Sequence, residues 1–409
     1  MNYNTCTLSS GLRVIHLPST SAVVYCGIGV RAGTRNEQPG EEGLAHFCEH
    51  LTFKGTRRRT AVQIINAIEG VGGELNAFTN KEDTVYYCAI GRQHFMRAVD
   101  VLTDIVFHSE YPQHEIVKEC EVVCDEIESY EDSPAELIFD EIENFLFSNH
   151  PLGHNILGTS ERVRSYTTAD ARRFTRRWYR PDNCVFFASG DIDFSRLVCI
   201  LEKSVGGTGE PDSPDYPDRP DVPDVPETLT HVFHRGTHQA HVMLGMRAYR
   251  ADDPRRWALF LLNNIIGGPG LNSRLNISLR ERRGLVYSVE STMTCYSDTG
   301  AWSVYFGCDG GDVSRCCRLV RSELHRLVAR PLSTAQLAAA KRQLQGQLAI
   351  AGDSREQFAL DFARNFLHTG QLRDMTDIMS HIDAVSAADI QQTAAELFAD
   401  DRLLTLIYK

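Results

Sequence analysis

The sequence predicts an α+β fold built from two structurally homologous, sandwich-like α/β domains, the product of an internal duplication, joined by a linker rich in Pro-Asp repeats. Three observations predict it: a proline-punctuated acidic stretch near the middle of the chain, a strand-then-helix order on both sides of it, and landmarks that recur at a constant spacing. At roughly 150 residues per domain, a 409-residue chain holds two or three domains with substantial cores. The resulting division is 1–205 for the first domain, 206–227 for the linker and 228–409 for the second.

In the first domain, Thr84-Val-Tyr-Tyr-Cys-Ala-Ile90 reads as a strand, and the apolar spacing from Phe95 to Phe107 reads as a helix. A second helical run follows and leads into Asp132-Ser133 and Asn144-Phe145-Leu146. In the linker, prolines at 211, 214, 217, 220, 223 and 226 keep an unbroken period of three, which matches the three residues per turn of polyproline II. Asp212, Asp215, Asp218, Asp221 and Asp224 then share one edge of a semi-rigid spacer. Seven acidic residues against Arg219 give it −6, half of the net charge of −12. Its PxxP pattern allows recognition by another module as the alternative use. In the second domain, Trp302-Ser-Val-Tyr-Phe-Gly-Cys308 is the strand and Val313 to Val328 the helix. Asp353-Ser354 and Asn365-Phe366-Leu367 then repeat the earlier landmarks at an offset of 221.

An acidic chain repels both nucleic acid and anionic membranes, so neither is an expected partner, whereas peptides with basic residues are. Twelve cysteines show no spacing typical of small secreted modules, which points to a reducing compartment and a cytoplasmic location. No secretory or transit segment is visible in the first residues, and the densest apolar stretch, Trp257 to Leu262, is far too short to span a bilayer.

The chemistry concentrates at His46-Phe-Cys-Glu49-His50. On a helix, Leu44, Phe47, Cys48 and Leu51 fall on one face, and His46, Glu49 and His50 on the other. Histidines at i and i+4 can reach one metal ion, and a carboxylate beside them can take a proton from the water that the metal activates. Composition alone would place only ~0.07 such motifs in a chain of this length, so the pattern is suggestive but does not stand by itself. Support comes from the helical run Glu115 to Tyr130, where Ile116, Cys120, Val123 and Ile127 form the apolar stripe. Glu119 and Glu126, seven apart, sit together at its edge. A carboxylate there needs a metal or a donor, and one of the two can complete a metal site while the other orients a histidine.

His46-x-x-Glu49-His50 resembles the inverted zinc motif of the pitrilysin/insulinase-type metallopeptidases, or inverzincins, and above all their half-size members similar to mitochondrial processing peptidase subunits and bacterial relatives. The resemblance extends to Gly43-Leu-Ala-His46, Phe53-Lys-Gly-Thr56, Gly72-Gly-Glu-Leu-Asn-Ala-Phe-Thr79, His150-Pro-Leu-Gly153, Ile156-Leu-Gly-Thr159 and Tyr179-Arg-Pro-Asp-Asn183. It implies a zinc-dependent endopeptidase acting on peptides or unfolded polypeptides in a closed chamber, with one zinc per chain held by His46, His50 and Glu126. It makes Glu49 the general base and Glu119 the auxiliary glutamate. Asn76, Ala77, Phe78 and Thr79 become the edge strand to which an extended substrate adds, and Arg280 and Tyr287 the pair that stabilises the tetrahedral intermediate. A homodimer, or a heterodimer with a related chain, is implied as the working form. The second domain has no such motif, and the 221 offset puts Gln347 opposite Glu126 and Ala340 opposite Glu119. A noncatalytic scaffold subunit is the alternative; such relatives typically lose motif residues, and none is missing here.

Overall fold

The computed structural model describes residues 2–205, 229–398 and 402–409. The expected polyproline linker, 206–227, lies outside the described residues. Eleven strands among those described form two sheets. In chain order they are β1 (Asn4–Thr7), β2 (Arg13–Pro18), β3 (Val23–Val30), β4 (Glu74–Thr79), β5 (Thr84–Gly91), β6 (Cys184–Gly190), β7 (Thr230–Phe233), β8 (Ala240–Ala248), β9 (Val286–Cys295), β10 (Gly300–Cys308) and β11 (Leu404–Tyr408). The first sheet has the order β1-β2-β6-β3-β5-β4 and the second β7-β11-β8-β10-β9. One parallel pair, β2 with β6, is matched by β7 with β11, and the other pairs are antiparallel. Apart from β1, the second sheet therefore repeats the order and the directions of the first, as duplication requires.

Most of the helices repeat as well. The first half of the chain forms α1 (Leu44–Thr52), α2 (Ala61–Glu69), α3 (Phe95–His108), α4 (Gln113–Glu131), α5 (Pro134–Leu146), α6 (Ser160–Ser165), α7 (Thr168–Trp178) and α8 (Phe194–Val205). The second forms α9 (Arg256–Gly267), a π-helical turn Asn276–Glu281, then α10 (Val313–Ala329), α11 (Thr334–Ala351), α12 (Arg355–Thr369), α13 (Met375–Ala384) and α14 (Ala387–Leu397). The expected strands and helices fall on β5, β10, α3, α4 and α10, each extended by one to three residues. The hydrophobic pattern sets these elements, and the ends are decided by capping and neighbouring chain.

The compact units are not the contiguous halves drawn from the sequence. Of the described residues, one unit comprises 2–128, 154–205 and 351–374; the other comprises 129–153, 229–350, 375–398 and 402–409. Helix α5 from the first half packs on β8, β10 and β11, and α12 from the second half packs on β3 and β6. The landmarks spaced by 221 mark these two exchanged helices. Each buries an apolar face: Leu137, Ile138, Ile142 and Leu146 close over Met243, Leu404 and Leu406, and Phe362, Ala363 and Leu367 are buried along α12. Glycine admits the exchanged helix in both cases. A Cβ on Gly245 would stand 2.8 Å from Ile142 Cγ1, and one on Gly29 3.3 Å from Leu367 Cδ2. Hydrophobic periodicity fixes which face of a helix is buried but not which sheet receives it, and so the exchange could not be read from the pattern.

Candidate metal centre

The site lies within the first unit, where α1 and α4 meet beside the last residue of β4. Helix α1 begins at Gly43, whose φ of 86° is left-handed, and an added Cβ there would stand 2.5 Å from the Leu157 carbonyl oxygen. The first N–H groups of a helix lack internal acceptors. Here the buried Glu37 carboxylate accepts from the Gly43 and Ala45 N–H groups at 3.0 and 2.7 Å and contacts His154 Nε2 at 2.8 Å. Burial pushes the Glu37 carboxyl up to about 7, against the opposing pull of His154 and the two N–H donors. Sequence reasoning missed Glu37 and His154, since nothing in their local pattern marks a helix anchor that acts across more than a hundred residues.

The apolar face of α1 is as expected: Leu44, Phe47, Cys48 and Leu51 are fully buried. Cys48 points its thiol toward the Ala171 carbonyl oxygen, away from the histidines. The opposite face is not a solvated one, because His46 and Glu49 are themselves buried. Helix α4 brings up the carboxylates. Glu126 stands 3.8 Å from His46 Nε2 and 3.5 Å from His50 Nε2, and one ligand atom from each of the three residues lies within 4.8 Å of the others. It is the one such cluster among the described residues.

These residues fit a zinc ion. Ligands about 2.0–2.2 Å from a tetrahedral centre stand roughly 3.3–3.6 Å apart, and Glu126 lies 3.8 and 3.5 Å from the two imidazoles. Burial, with the neighbouring His50 adding to it, pushes His46 down to about 3, so the imidazole is neutral and free to donate a lone pair. His46 Nδ1 has no hydrogen-bond partner among the described residues. His50 turns Nδ1 to Glu119 Oε1 at 3.0 Å, which leaves Nε2 as its ligand atom and fixes the ring orientation.

The two glutamates of α4 differ in exposure and partners. The Glu126 side chain is 44% exposed and faces both imidazoles, whereas that of Glu119 is only 7% exposed and contacts both His50 and Lys54, the latter at 2.5 Å. Burial alone would raise the Glu119 carboxyl, but His50 and Lys54 outweigh it and hold it below the usual range. Lys54 occurs within the quoted Phe53-Lys-Gly-Thr56 run, yet no local signal pairs it with a residue 65 positions away.

Glu49 takes its hydrogen bond from Thr79, whose hydroxyl donates to Oε2 at 2.5 Å. Burial raises the Glu49 carboxyl, Thr79 and His50 oppose the rise, and Glu126 adds to it. Thr79 ends β4, the outermost strand of its sheet, which carries Asn76, Ala77 and Phe78 opposite Tyr87, Tyr86 and Val85 of β5. The four residues expected as a substrate strand therefore lie on an open edge, and the last of them touches Glu49. In the second unit, Arg280 sits in the turn Asn276–Glu281 and Tyr287 on β9. The Arg280 guanidinium carbon lies 5.7 Å from the centre of the Tyr287 ring, which is 83% exposed, unusual for a tyrosine.

The family model described as "Insulinase (Peptidase family M16)" matches residues 13–160, and that described as "Peptidase M16 inactive domain" matches 165–344. The chain belongs to the M16 peptidase family. An uncharacterised zinc protease of Bacillus subtilis, YmxG, is 32% identical over 98% of this chain and 97% of its own length. An uncharacterised zinc protease of Streptomyces coelicolor is 33% identical over 98% of the chain and 88% of its own. A solved protease from Helicobacter pylori has a TM-score of 0.90 at 22% identity and is covered to 99%, with all of this chain matched. An M16 structure from Pseudomonas fluorescens gives 0.90 at 18% identity, matching 100% of this chain and 98% of its own. Both structures share the whole two-domain fold. The His46-x-x-Glu49-His50 motif lies in the first half, within the match to the first of these models. The match called inactive covers most of the second half, which lacks the motif. No described helix is long and apolar enough to cross a membrane.

Proposed function

We propose that this chain is a zinc-dependent endopeptidase. The observation that carries the reading is the convergence of His46, His50 and Glu126 beside a buried Glu49 that is hydrogen-bonded to an open strand edge. His46, His50 and Glu126 would hold one zinc per chain. When bound, zinc supplies Lewis acidity that polarises a carbonyl oxygen and makes a water acidic near neutral pH.

The other residues set up proton transfer and binding. Glu49 accepts the proton of the attacking water and passes it to the leaving amine, and its raised proton affinity suits it to both steps. Thr79 fixes the orientation of the accepting carboxylate. Glu119, held by Lys54, keeps the His50 ring turned so that Nε2 faces Glu126. The edge of β4 offers unpaired main-chain groups to an extended peptide, so recognition rests on backbone hydrogen bonds and favours unfolded or short polypeptides. In a dimer, Arg280 and Tyr287 of one chain would stabilise the oxyanion formed in the other, inside a closed chamber.

Cleavage of a fluorogenic peptide library, run with metal analysis, tests the reading. Chelation should abolish cleavage and zinc restore it; metal-loaded protein with no cleavage of any peptide would assign the chain to the noncatalytic members instead. Mixing Glu49→Gln with Tyr287→Phe tests the shared site. Recovery of activity after re-equilibration is expected, and none would confine each site to one chain.

A further inference from the structure

Four buried hydroxyls behind the metal-motif helix take no part in holding zinc or moving a proton. Thr52 lies one turn beyond Cys48 on the apolar face of α1, Tyr86 is on β5, Tyr111 lies between α3 and α4, and Tyr179 directly follows α7. Burial pushes all three phenols up, so each keeps its proton and can donate. The contacts fix the direction of the bonds. The Cys48 carbonyl can only accept, so Thr52 uses its one proton there, at 2.7 Å. Tyr86 then has to donate to Thr52, at 3.2 Å, and Tyr179 to Tyr86, at 2.8 Å. The Tyr111 hydroxyl is hydrogen-bonded with Thr52 and Thr175, and its backbone holds a φ of 52°, a left-handed conformation that a side chain of its size rarely adopts.

This chain of hydroxyls ends on the carbonyl just before Glu49. Tyr86 stands opposite Ala77 in the register of β4 with β5, and β4 ends in Thr79, which donates to Glu49. Helix α1 is thus tied to one pair of strands at two points three residues apart, Glu49 to β4 and Thr52 to β5. A single tether would leave a nine-residue helix free to turn about it, and the second removes that freedom. Leu44, Phe47, Cys48 and Leu51 pack the same face, but apolar packing tolerates small shifts, whereas a hydrogen bond weakens steeply off its angle. A general base has to stand within about 2.6–3.2 Å of the proton it takes. We propose that Thr52, Tyr86 and Tyr179 are positioning residues, whose chain of hydroxyls sets the rotation of α1 against β5 and with it the placement of Glu49 and of the two histidines toward Glu126. The part that concerns Glu49 rests on the peptidase reading; the part that concerns the histidines rests on the metal triad alone.

Zinc affinity by competition with a chelator, and steady-state cleavage of a fluorogenic peptide, test this on the full chain. Thr52→Val removes the hydroxyl and nearly keeps the shape. It should bind zinc roughly tenfold more weakly and lose about 10–100-fold in kcat with KM unchanged, since the strand edge is intact. Thr52→Ser, with the hydroxyl kept, should recover most of both losses. Tyr86→Phe should act like Thr52→Val, and the double variant should be little worse than either, because each breaks the same chain. Thr103→Val is the control: Thr103 is also buried, and its hydroxyl donates to the Val99 carbonyl at 2.8 Å within α3. Its loss should lower the melting temperature by a similar amount and leave zinc affinity, kcat and KM at wild-type values. Wild-type zinc affinity and kcat in Thr52→Val, equal losses in Thr103→Val, no recovery in Thr52→Ser, or additive losses in the double variant would each overturn the proposal. A wild-type chain that binds zinc and cleaves no peptide would end the peptidase reading, and the zinc affinities of these variants would still decide the positioning role.

Discussion

Apart from β1, the two units have the same strand order, yet among the described residues only the first gathers a His/Glu cluster able to hold a metal ion. Helix α1 lies against β4 and α7; its counterpart α9 lies against β9 and α14. Where α1 turns His46, Glu49 and His50 toward a second helix, α9 ties one of its two asparagines to the sheet: Asn263 Oδ1 accepts from Trp302 Nε1 at 2.9 Å, and its carbonyl accepts from Ser291 at 3.0 Å. Where α4 supplies Glu119 and Glu126, α11 supplies Ala340, packed against apolar neighbours, and Gln347. The fold fixes the places, and a few side chains decide whether a place gathers groups able to hold a metal or simply packs.

The largest expected effects break that contrast from the chemical side. His50→Ala should lose both zinc and turnover, whereas Glu49→Gln should keep zinc and lose turnover by about 10²–10⁴-fold, the range for a general acid–base residue. Zinc content with peptide cleavage checks both; a metal-loaded Glu49→Gln chain that still cleaves removes Glu49 as the base. Lys54→Met should weaken zinc binding by roughly 10–100-fold, as loss of an outer support for a ligand does, and Lys54→Arg should recover part of it. Equal affinity in wild type and Lys54→Met would reduce the Lys54–Glu119 pair to a structural contact.

The exchanged helices sharpen the same comparison through stability. In the first unit, Arg364 and His368 of α12 grip Asp83 in the turn between β4 and β5, at 3.0 and 2.7 Å. Position 143 in α5 is the equivalent of 364 by the 221 offset, and there Glu143 accepts from the Tyr296 hydroxyl at 2.5 Å, just after β9. The architecture is kept while the charge is reversed. Burial alone would raise the Asp83 carboxyl, but His368 and Arg364 hold it at about 2. A depressed carboxyl stabilises the fold above its unfolded value and loses that contribution as the pH falls. Denaturant titrations should therefore show roughly 2 kcal/mol disappearing between about pH 4 and pH 2, and not in Asp83→Asn. In the second unit, Asn263→Ala should cost about 1–3 kcal/mol by leaving the Trp302 donor unpaired, with zinc content unchanged. Smallest of all, Tyr296→Phe should cost about 1 kcal/mol. A change in zinc binding in either variant would mean that the two units are less independent than their separate cores imply.

Much of this was legible in the residues. Duplication showed in the strand-helix order and the landmarks, and the resemblance named His46, His50 and Glu126, whose ligand atoms lie within 4.8 Å of one another. Local periodicity placed all three on the right faces because a helix repeats every 3.6 residues whatever it packs against. What stayed hidden depends on contacts between distant segments. Thr79 to Glu49, Lys54 to Glu119, Glu37 to the start of α1, and the destination of α5 and α12 are set by packing that no local pattern encodes. Glu119 and Glu126 lie alike at the edge of one stripe; only the resemblance assigns them different roles, and in the structure their exposure and partners differ.

The central claim is that His46, His50 and Glu126 share one zinc ion. Anomalous diffraction collected at the zinc edge from crystals of the purified chain tests it most directly. A single peak per chain, within coordination distance of His46 Nε2, His50 Nε2 and a Glu126 oxygen, is the expected result. A zinc peak bound elsewhere, or none in protein crystallised with zinc, would contradict it.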